Sequence, residues 1–271
     1  MDSSSPAPRP HYDCALITGA SSGLGLEYAR QLAPFVRTLV LVSRREQVLE
    51  QIARDLISGY PQLTVKVFAS DLSETADRAT LLGALAAADL RPDLLINNAG
   101  MGDYGEFQTS DWAKIGEMIR LNVEALTHLS HALLPGLILK KGAILNVSSL
   151  ASILPIPDFA VYAATKAYVT SFSEALRLEV RGEGVDVLAV CPGPVKTGFG
   201  DRARRSATSK LPVQDAFYVP AEQVVRDSLA ALVRGRARLY PGLKVAIAAA
   251  GIGLLPIAAL RLVMSFRPRR S

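Results

Sequence analysis

The sequence predicts an α/β fold in which one parallel sheet lies between two layers of helices. Three observations predict it. Over the first 200 residues, short aliphatic and β-branched runs alternate with longer stretches of helical periodicity. Those short runs are almost continuously apolar, as strands buried on both faces must be. No linker rich in Pro, Gly or Ser interrupts the alternation, so the 271 residues read as one domain. Right-handed crossovers between parallel strands then give the doubly wound, Rossmann-type arrangement of three layers, α/β/α.

The elements follow in order. Strands are predicted at CALIT (14–18), TLVLVS (38–43), TVKVFAS (64–70), DLLINNA (93–99), AILNVSS (143–149) and VDVLAVC (185–191). Helical patterns fill 23–34, 44–58, 73–88, 111–136 and 158–181. Past residue 195 the pattern loosens. The segment GFGDRARRSATSKLPVQDAFYVP (198–220) is long, basic and weakly periodic, a length typical of lids and substrate loops. A helix over 221–234 follows, then an extended piece, ARLYPG (237–242). Residues 1–12 read as a disordered tail, 13–242 as the Rossmann-type domain and 243–271 as an apolar, basic helical tail.

Composition narrows the function classes. With 49% apolar residues the chain can bury a large core. Cys14 and Cys191 lie far apart in apolar runs and read as free thiols of a reducing compartment. His128 and His131 share a helical face, but no third ligand follows at metal spacing, so no metal site is expected. The first residues, MDSSSPAPRPHYD, lack the apolar stretch of a signal peptide, and a cytoplasmic protein is expected. Charge is uneven: residues 202–271 hold 13 Lys or Arg against 3 Asp or Glu, whereas residues 1–201 hold 17 against 22. The basic residues flank an apolar segment rather than a recognition motif, which argues against nucleic acid.

ITGASSGLG (17–25) ends the first strand and opens the first helix. Its glycines, Gly19, Gly23 and Gly25, with Ser21, Ser22 and Leu24 between them, suit backbone N–H groups that approach a diphosphate at a helix N-terminus. The second strand ends in Ser43, Arg44 and Arg45, with no acid at its tip to hold a ribose 2′-hydroxyl. A guanidinium there suits a 2′-phosphate, so NADP(H) is expected in preference to NAD(H).

TGASSGLG, NNAG (97–100), the serine pair 148–149, YAATK (162–166) and PGPVKT (192–197) stand in the order and spacing of the short-chain dehydrogenase/reductase family, which the chain resembles from about Tyr12 to Gly242. The resemblance implies roles. Tyr162 would be the general acid/base and Lys166, one helical turn on, would hold the nicotinamide ribose and lower the phenol pKa. Ser149, 13 residues before the tyrosine, would hold the substrate carbonyl, with Ser148 a structural neighbour, and Asn122 would complete the tetrad. Asp71 and Leu72 would face the adenine, and Asn98, Ala99 and Gly100 the adenosine ribose. Pro192, Gly193, Val195 and Thr197 would hold the nicotinamide. One departure is Ser152, where the family often has glycine.

The expected pocket walls are Met101 to Phe107, Leu150 to Pro157, and Phe199 to Tyr218, with Tyr104, Ile153, Leu154, Ile156, Phe159 and Phe217 as apolar lining. They suit an apolar carbonyl or alcohol: a steroid-like ketone, a 3-oxoacyl thioester or an aldehyde. The expected activity is therefore an NADP(H)-dependent oxidoreductase, the alternative being a non-catalytic NADP(H)-binding regulatory protein. Sugar-nucleotide epimerases share the Tyr–Lys pair but need a separate substrate domain, for which the chain has no room. Three uses of the tail stay open: packing over the pocket or a second subunit, contact with a membrane surface, and attraction of an acidic carrier. A homodimer or homotetramer pairing through helices 111–136 and 158–181 is expected from the resemblance.

Overall fold

Seven strands pair in parallel in the order β3-β2-β1-β4-β5-β6-β7 in this computed structural model, which describes residues 12–205 and 217–265. The strands are β1 (Cys14–Thr18), β2 (Thr38–Ser43), β3 (Thr64–Ala69), β4 (Leu94–Asn97), β5 (Ala143–Val147), β6 (Asp186–Val190) and β7 (Arg238–Leu239). Helices α1 (Gly23–Leu32), α2 (Glu46–Gly59) and α8 (Ala221–Val233) cover one face. Helices α3 (Thr75–Ala87), α5 (Leu126–Lys140) and α6 (Ala160–Glu179) cover the other. The period-two alternation of strands divides each run between the two cores. Ala15, Ile17, Leu39 and Leu41 pack with Tyr28 and Leu32 of α1, while Leu16, Val40 and Val42 pack with Leu81 of α3 and Leu129 of α5. Two covered faces explain why the inner strands are mostly apolar. β3, at the sheet edge, instead alternates exposed and half-buried residues.

Strand order reverses at β1, which pairs with both β2 and β4. Crossovers therefore leave in opposite directions and open a crevice at the strands' carboxyl ends. Four predicted strands stop short there, β3 and β6 by one residue and β4 and β5 by two. β4 ends at Asn97 rather than Ala99, because Asn98 N and Ala99 N donate to Thr18 Oγ1, at 2.9 and 3.0 Å, instead of joining the ladder. β5 ends at Val147, which frees Ser148 and Ser149. Between these strands, Asn97 Nδ2 donates to Asn146 Oδ1 at 2.9 Å and to Ser130 Oγ at 3.0 Å, and Asn146 Nδ2 donates to Ser173 Oγ at 2.9 Å. This buried chain of amides ties β4 and β5 to α5 and α6.

The continuous helix expected over 111–136 is divided. α4 (Trp112–Ile119), capped by Asp111 accepting from Ala113 N at 2.9 Å, runs into a π-helical turn, Arg120–Ala125, before α5 begins. Arg78 of α3 braces that turn. Its wholly buried guanidinium donates to Leu72 O at 2.8 Å, to His128 Nδ1 at 3.2 Å and to Glu124. His128 is thereby an acceptor inside a structural network.

The chain beyond β6 forms α7 (Phe199–Ala203), α8, the edge strand β7, then α9 (Leu243–Leu254) and α10 (Ile257–Ser265), separated at Pro256. The expected tail over 1–12 falls outside the described residues except for Tyr12, which packs against the first core. Residues 206–216 of the expected substrate loop and 266–271 of the tail also lie outside them.

Candidate active site

Every segment of the site leaves the carboxyl end of a strand. After β1 the chain turns at Gly19, whose φ of 66° lies in the left-handed region that glycine adopts without strain. The loop then packs back on itself: a Cβ on Gly25 would stand 2.3 Å from Gly19 O, so no larger residue fits. α1 begins at Gly23 after Ser22, whose side chain makes no capping hydrogen bond, and its first turn carries no acid. Its leading N–H groups thus face the crevice with the positive end of the helix dipole. A close backbone turn and an open helix N-terminus fit the diphosphate of a dinucleotide.

Ser43, Arg44 and Arg45 follow β2. Arg45, itself exposed, reaches the glycine loop, and its Nη2 and Nε donate to Ser21 Oγ at 2.8 and 3.2 Å. Arg44 stays on the rim, its Nη1 2.9 Å from Glu117 Oε1 and 3.4 Å from Asp71 Oδ2. Asp71 also accepts from Ser73 N and Ser73 Oγ, at 3.0 and 2.7 Å. Burial acts to raise the Asp71 pKa, but hydrogen bonds from Ser73 and the Arg44 charge outweigh it and hold the carboxyl below its usual value. The Glu117 contact had no signal in the sequence, since α4 reaches the β2 tip only through the fold.

Small residues at the start of α6 let it lie against β5 and bury both Tyr162 and Lys166. Lys166 Nζ donates to Val147 O at 2.8 Å and lies 5.8 Å from the centre of the Tyr162 ring. Burial pushes the Tyr162 phenol up to about 12, an effect moderated by its hydrogen bond with Ser149. Burial also lowers the Lys166 ammonium to about 8, partly offset by Cys191. The balance differs from the expectation that Lys166 depresses the phenol: desolvation dominates both groups, while one N–H of the ammonium donates to the Val147 carbonyl. The two serines divide. Ser148 Oγ donates to Lys166 O at 2.9 Å and pairs with Thr170 Oγ1 at 2.7 Å, whereas Ser149 Oγ accepts from Ala151 N at 3.1 Å and meets Tyr162.

Asn122 sits in the π-helical turn, 1% exposed, behind the cavity wall. Its amide holds both backbone groups of Met101, accepting from N and donating to O at 2.9 Å each, and donates to Thr165 Oγ1 at 3.1 Å. It therefore fastens the segment after β4 to α6.

These groups border one cavity of about 780 Å³. It runs from the Gly19–Leu24 loop past Ser43–Arg45, Asp71–Leu72 and Asn98–Gly100 to Ser149, Tyr162 and Lys166, with Pro192, Gly193, Val195 and Thr197 on its wall. Gly25 and Asn122 stand behind its surface. The far end is apolar: Tyr104, Leu154, Ile156, Phe159, Phe199, Phe217 and Tyr218 line it. Phe159 stacks on Tyr162 with ring centres 4.3 Å apart, and Phe199 stands 5.6 Å away. Three expected lining residues are placed elsewhere. Phe107, on a surface 3₁₀ turn, is 62% exposed, Met101 packs with the cluster around Met118, and Ile153 is half-buried outside the cavity.

Ala248 and Ile252 of α9 and Met264 of α10 complete the apolar wall, so the tail packs over the pocket, one of the uses left open by the sequence. One contribution was missed. Asp103 is buried between Lys114 Nζ at 2.9 Å and Arg205 Nε at 3.0 Å. Arg205 Nη1 also donates to Glu106 O and Thr109 Oγ1, both at 2.9 Å, which pins the end of the α7 segment beside the cavity. Nothing in GDYG marks Asp103, because Arg205 comes from a distant part of the chain and Lys114 meets it only through the fold.

A doubly wound parallel sheet, a glycine turn before an open helix N-terminus, and a buried Tyr–Lys pair on the same cleft define a nucleotide-dependent oxidoreductase. The family model described as short chain dehydrogenase matches residues 13–208, and the chain belongs to this short-chain dehydrogenase/reductase family. Sulfoacetaldehyde reductase of Chromohalobacter salexigens is 36% identical over 227 residues, covering 76% of this chain and 87% of that one. The human very-long-chain 3-oxoacyl-CoA reductase is 33% identical over 216 residues, covering 78% and 68%. Among solved structures, a short-chain dehydrogenase from Sphingobium yanoikuyae in complex with NADPH superposes with a TM-score of 0.78 at 32% identity, covering 96% of this chain and 98% of that one.

Proposed function

We propose that the protein interconverts a carbonyl and an alcohol on an apolar substrate, using NADP(H), with Tyr162 as general acid/base. The observation that carries this reading is the buried Tyr162 phenol, lining one cavity with Ser149 and Lys166 where the dinucleotide cleft meets the apolar end. Bound NADPH would supply the hydride. The chain's own residues do the rest. Ser149 donates a hydrogen bond to the substrate oxygen and so holds it against the phenol. Tyr162, protonated at neutral pH, gives its proton to that oxygen as negative charge develops. Lys166, with a pKa near 8, is mostly charged at neutral pH and stabilises the phenolate left behind. Asn122 keeps the Met101 segment docked on α6 while the proton moves.

Arg44 and Arg45 support NADP(H), since either guanidinium can meet a 2′-phosphate with charge-assisted hydrogen bonds. The two curated relatives are named for different substrates, so the choice of substrate class rests on the aromatic and aliphatic wall of this cavity. The test is NADPH oxidation by the purified protein against a panel of apolar ketones, aldehydes and 3-oxoacyl thioesters. Turnover of at least one apolar carbonyl is expected. Tight NADPH binding with no turnover across the panel would favour a non-catalytic binder.

A further inference from the structure

Helices α9 and α10 have two apolar sides. On the inner side Val245 and Ala249 are buried, and Ala248, Ile252 and Met264 line the cavity. On the outer side Leu243, Ile247 and Leu254 fall on one stripe, because spacings of four and eleven residues return to the same helical face. They are 77%, 64% and 85% exposed. α10 adds Ile257 and Leu262, which are also exposed. Adjacent residues therefore face different surroundings: Ile247 points to solvent and Ala248 to the cavity.

Charge separates the candidates for what covers this surface. Residues 243–271 hold five basic residues, Lys244, Arg261, Arg267, Arg269 and Arg270, and no Asp or Glu. Lys244 and Arg261 are exposed next to Leu243 and Leu262. A second copy of the chain would set the stripe against itself, bringing like charges together with no acid of the tail to pair them. An anionic lipid surface accepts both features, apolar side chains into the interface and cations onto head groups. Among the described residues no helix is long and apolar enough to cross a membrane, so α9 and α10 would lie in the plane of the interface.

We propose that α9 and α10 dock the protein on an anionic lipid surface and that its carbonyl substrate is an apolar compound dissolved in that lipid, reaching the cavity past these two helices. The substrate half rests on the carbonyl–alcohol reading above; the docking half does not. The test uses the full chain and co-sedimentation with vesicles of phosphatidylcholine alone or with about one-third phosphatidylglycerol. The wild type is expected to sediment with the anionic vesicles only. The double variants Ile247→Glu/Leu254→Glu and Lys244→Glu/Arg261→Glu are each expected to lose about tenfold or more in vesicle affinity. Both should still bind NADPH and turn over a water-soluble ketone like the wild type, because none of the four side chains lines the cavity. With a ketone dissolved in the vesicles, both should turn over more slowly than the wild type. Wild type that stays in the supernatant, or variants that sediment unchanged, would overturn the docking. A dimer in sedimentation velocity that Ile247→Glu/Leu254→Glu breaks would assign the stripe to a second copy and overturn it too. Equal rates of wild type and variants on the vesicle-borne ketone would overturn the lipid substrate. Failure of the wild type on every soluble ketone would instead sink the carbonyl reading and the substrate half with it, leaving sedimentation to decide the docking.

Discussion

Lys166 Nζ donates to the Val147 carbonyl at 2.8 Å while standing 5.8 Å from the centre of the Tyr162 ring. The bond fixes the ammonium at the end of β5, where the same strand releases Ser149 towards the phenol. Burial holds the two pKa values at about 12 for Tyr162 and about 8 for Lys166. The lysine, not the tyrosine, is thus the group that titrates closer to neutrality.

That order predicts the alkaline side of the pH profile for carbonyl reduction. Tyr162 keeps its proton until far above neutrality, so loss of its acid form does not limit the rate there. Lys166 loses its charge as pH rises through about 8, and with it the stabilisation of the phenolate. The rate should fall above about pH 8, and Lys166→Arg, if it folds, should move that limb to higher pH. A limb that stays in place in Lys166→Arg would assign it to another group.

The same shift predicts a stability effect. The folded pKa of Lys166 lies below its unfolded value, so the unfolded chain binds more protons between about pH 8 and 10.5. Stability contributed by this residue therefore rises with pH across that window. Lys166→Met should flatten the rise in a denaturant titration measured at successive pH values. An unchanged slope would show that Lys166 does not carry it.

Arg44 lies on the rim at the tip of β2, within reach of Asp71 and Glu117. Replacing it with aspartate should remove a charge-assisted contact worth roughly 1.5–3 kcal/mol, about 10- to 150-fold in affinity. The loss should fall on NADPH and spare NADH, as measured by fluorescence titration. Equal weakening of both would contradict a 2′-phosphate site at this position.

Arg205 joins the α7 segment to buried Asp103. Burial acts to raise the Asp103 pKa, but hydrogen bonds from Arg205 and Lys114 outweigh it and hold the carboxyl below its usual value. Arg205→Ala leaves Lys114 as the partner and should cost roughly 1–3 kcal/mol. A Tm lowered by several degrees checks this, together with a raised KM for bulky substrates, since Phe199 and Ala203 of the same segment line the cavity.

Much of this architecture is legible in the sequence because it follows from periodicity. The apolar runs 14–18 and 38–43 become β1 and β2 without change, since both faces of the sheet are covered. Legibility fails where hydrogen bonds replace pattern. The π-helical turn at Arg120–Ala125 interrupts a periodicity that continues on either side, and its brace, Arg78, reads locally as an ordinary helical arginine. Asn98 and Ser148 belong by composition to strands that they leave to make other bonds. Most of the residues singled out after each strand line one cavity, because parallel strands bring their carboxyl ends to the same edge. Packing of the tail over the pocket was one of three readings of residues 243–271, and the sequence did not choose among them, since an apolar run does not say which surface it covers.

The central claim is that Tyr162 delivers the proton. The most direct measurement compares single-turnover reduction of an apolar ketone by wild type and Tyr162→Phe at saturating NADPH. Removing the hydroxyl should slow the chemical step by roughly 10²–10⁴-fold while NADPH affinity changes little. A Tyr162→Phe enzyme that reduces the ketone at the wild-type rate would contradict the account.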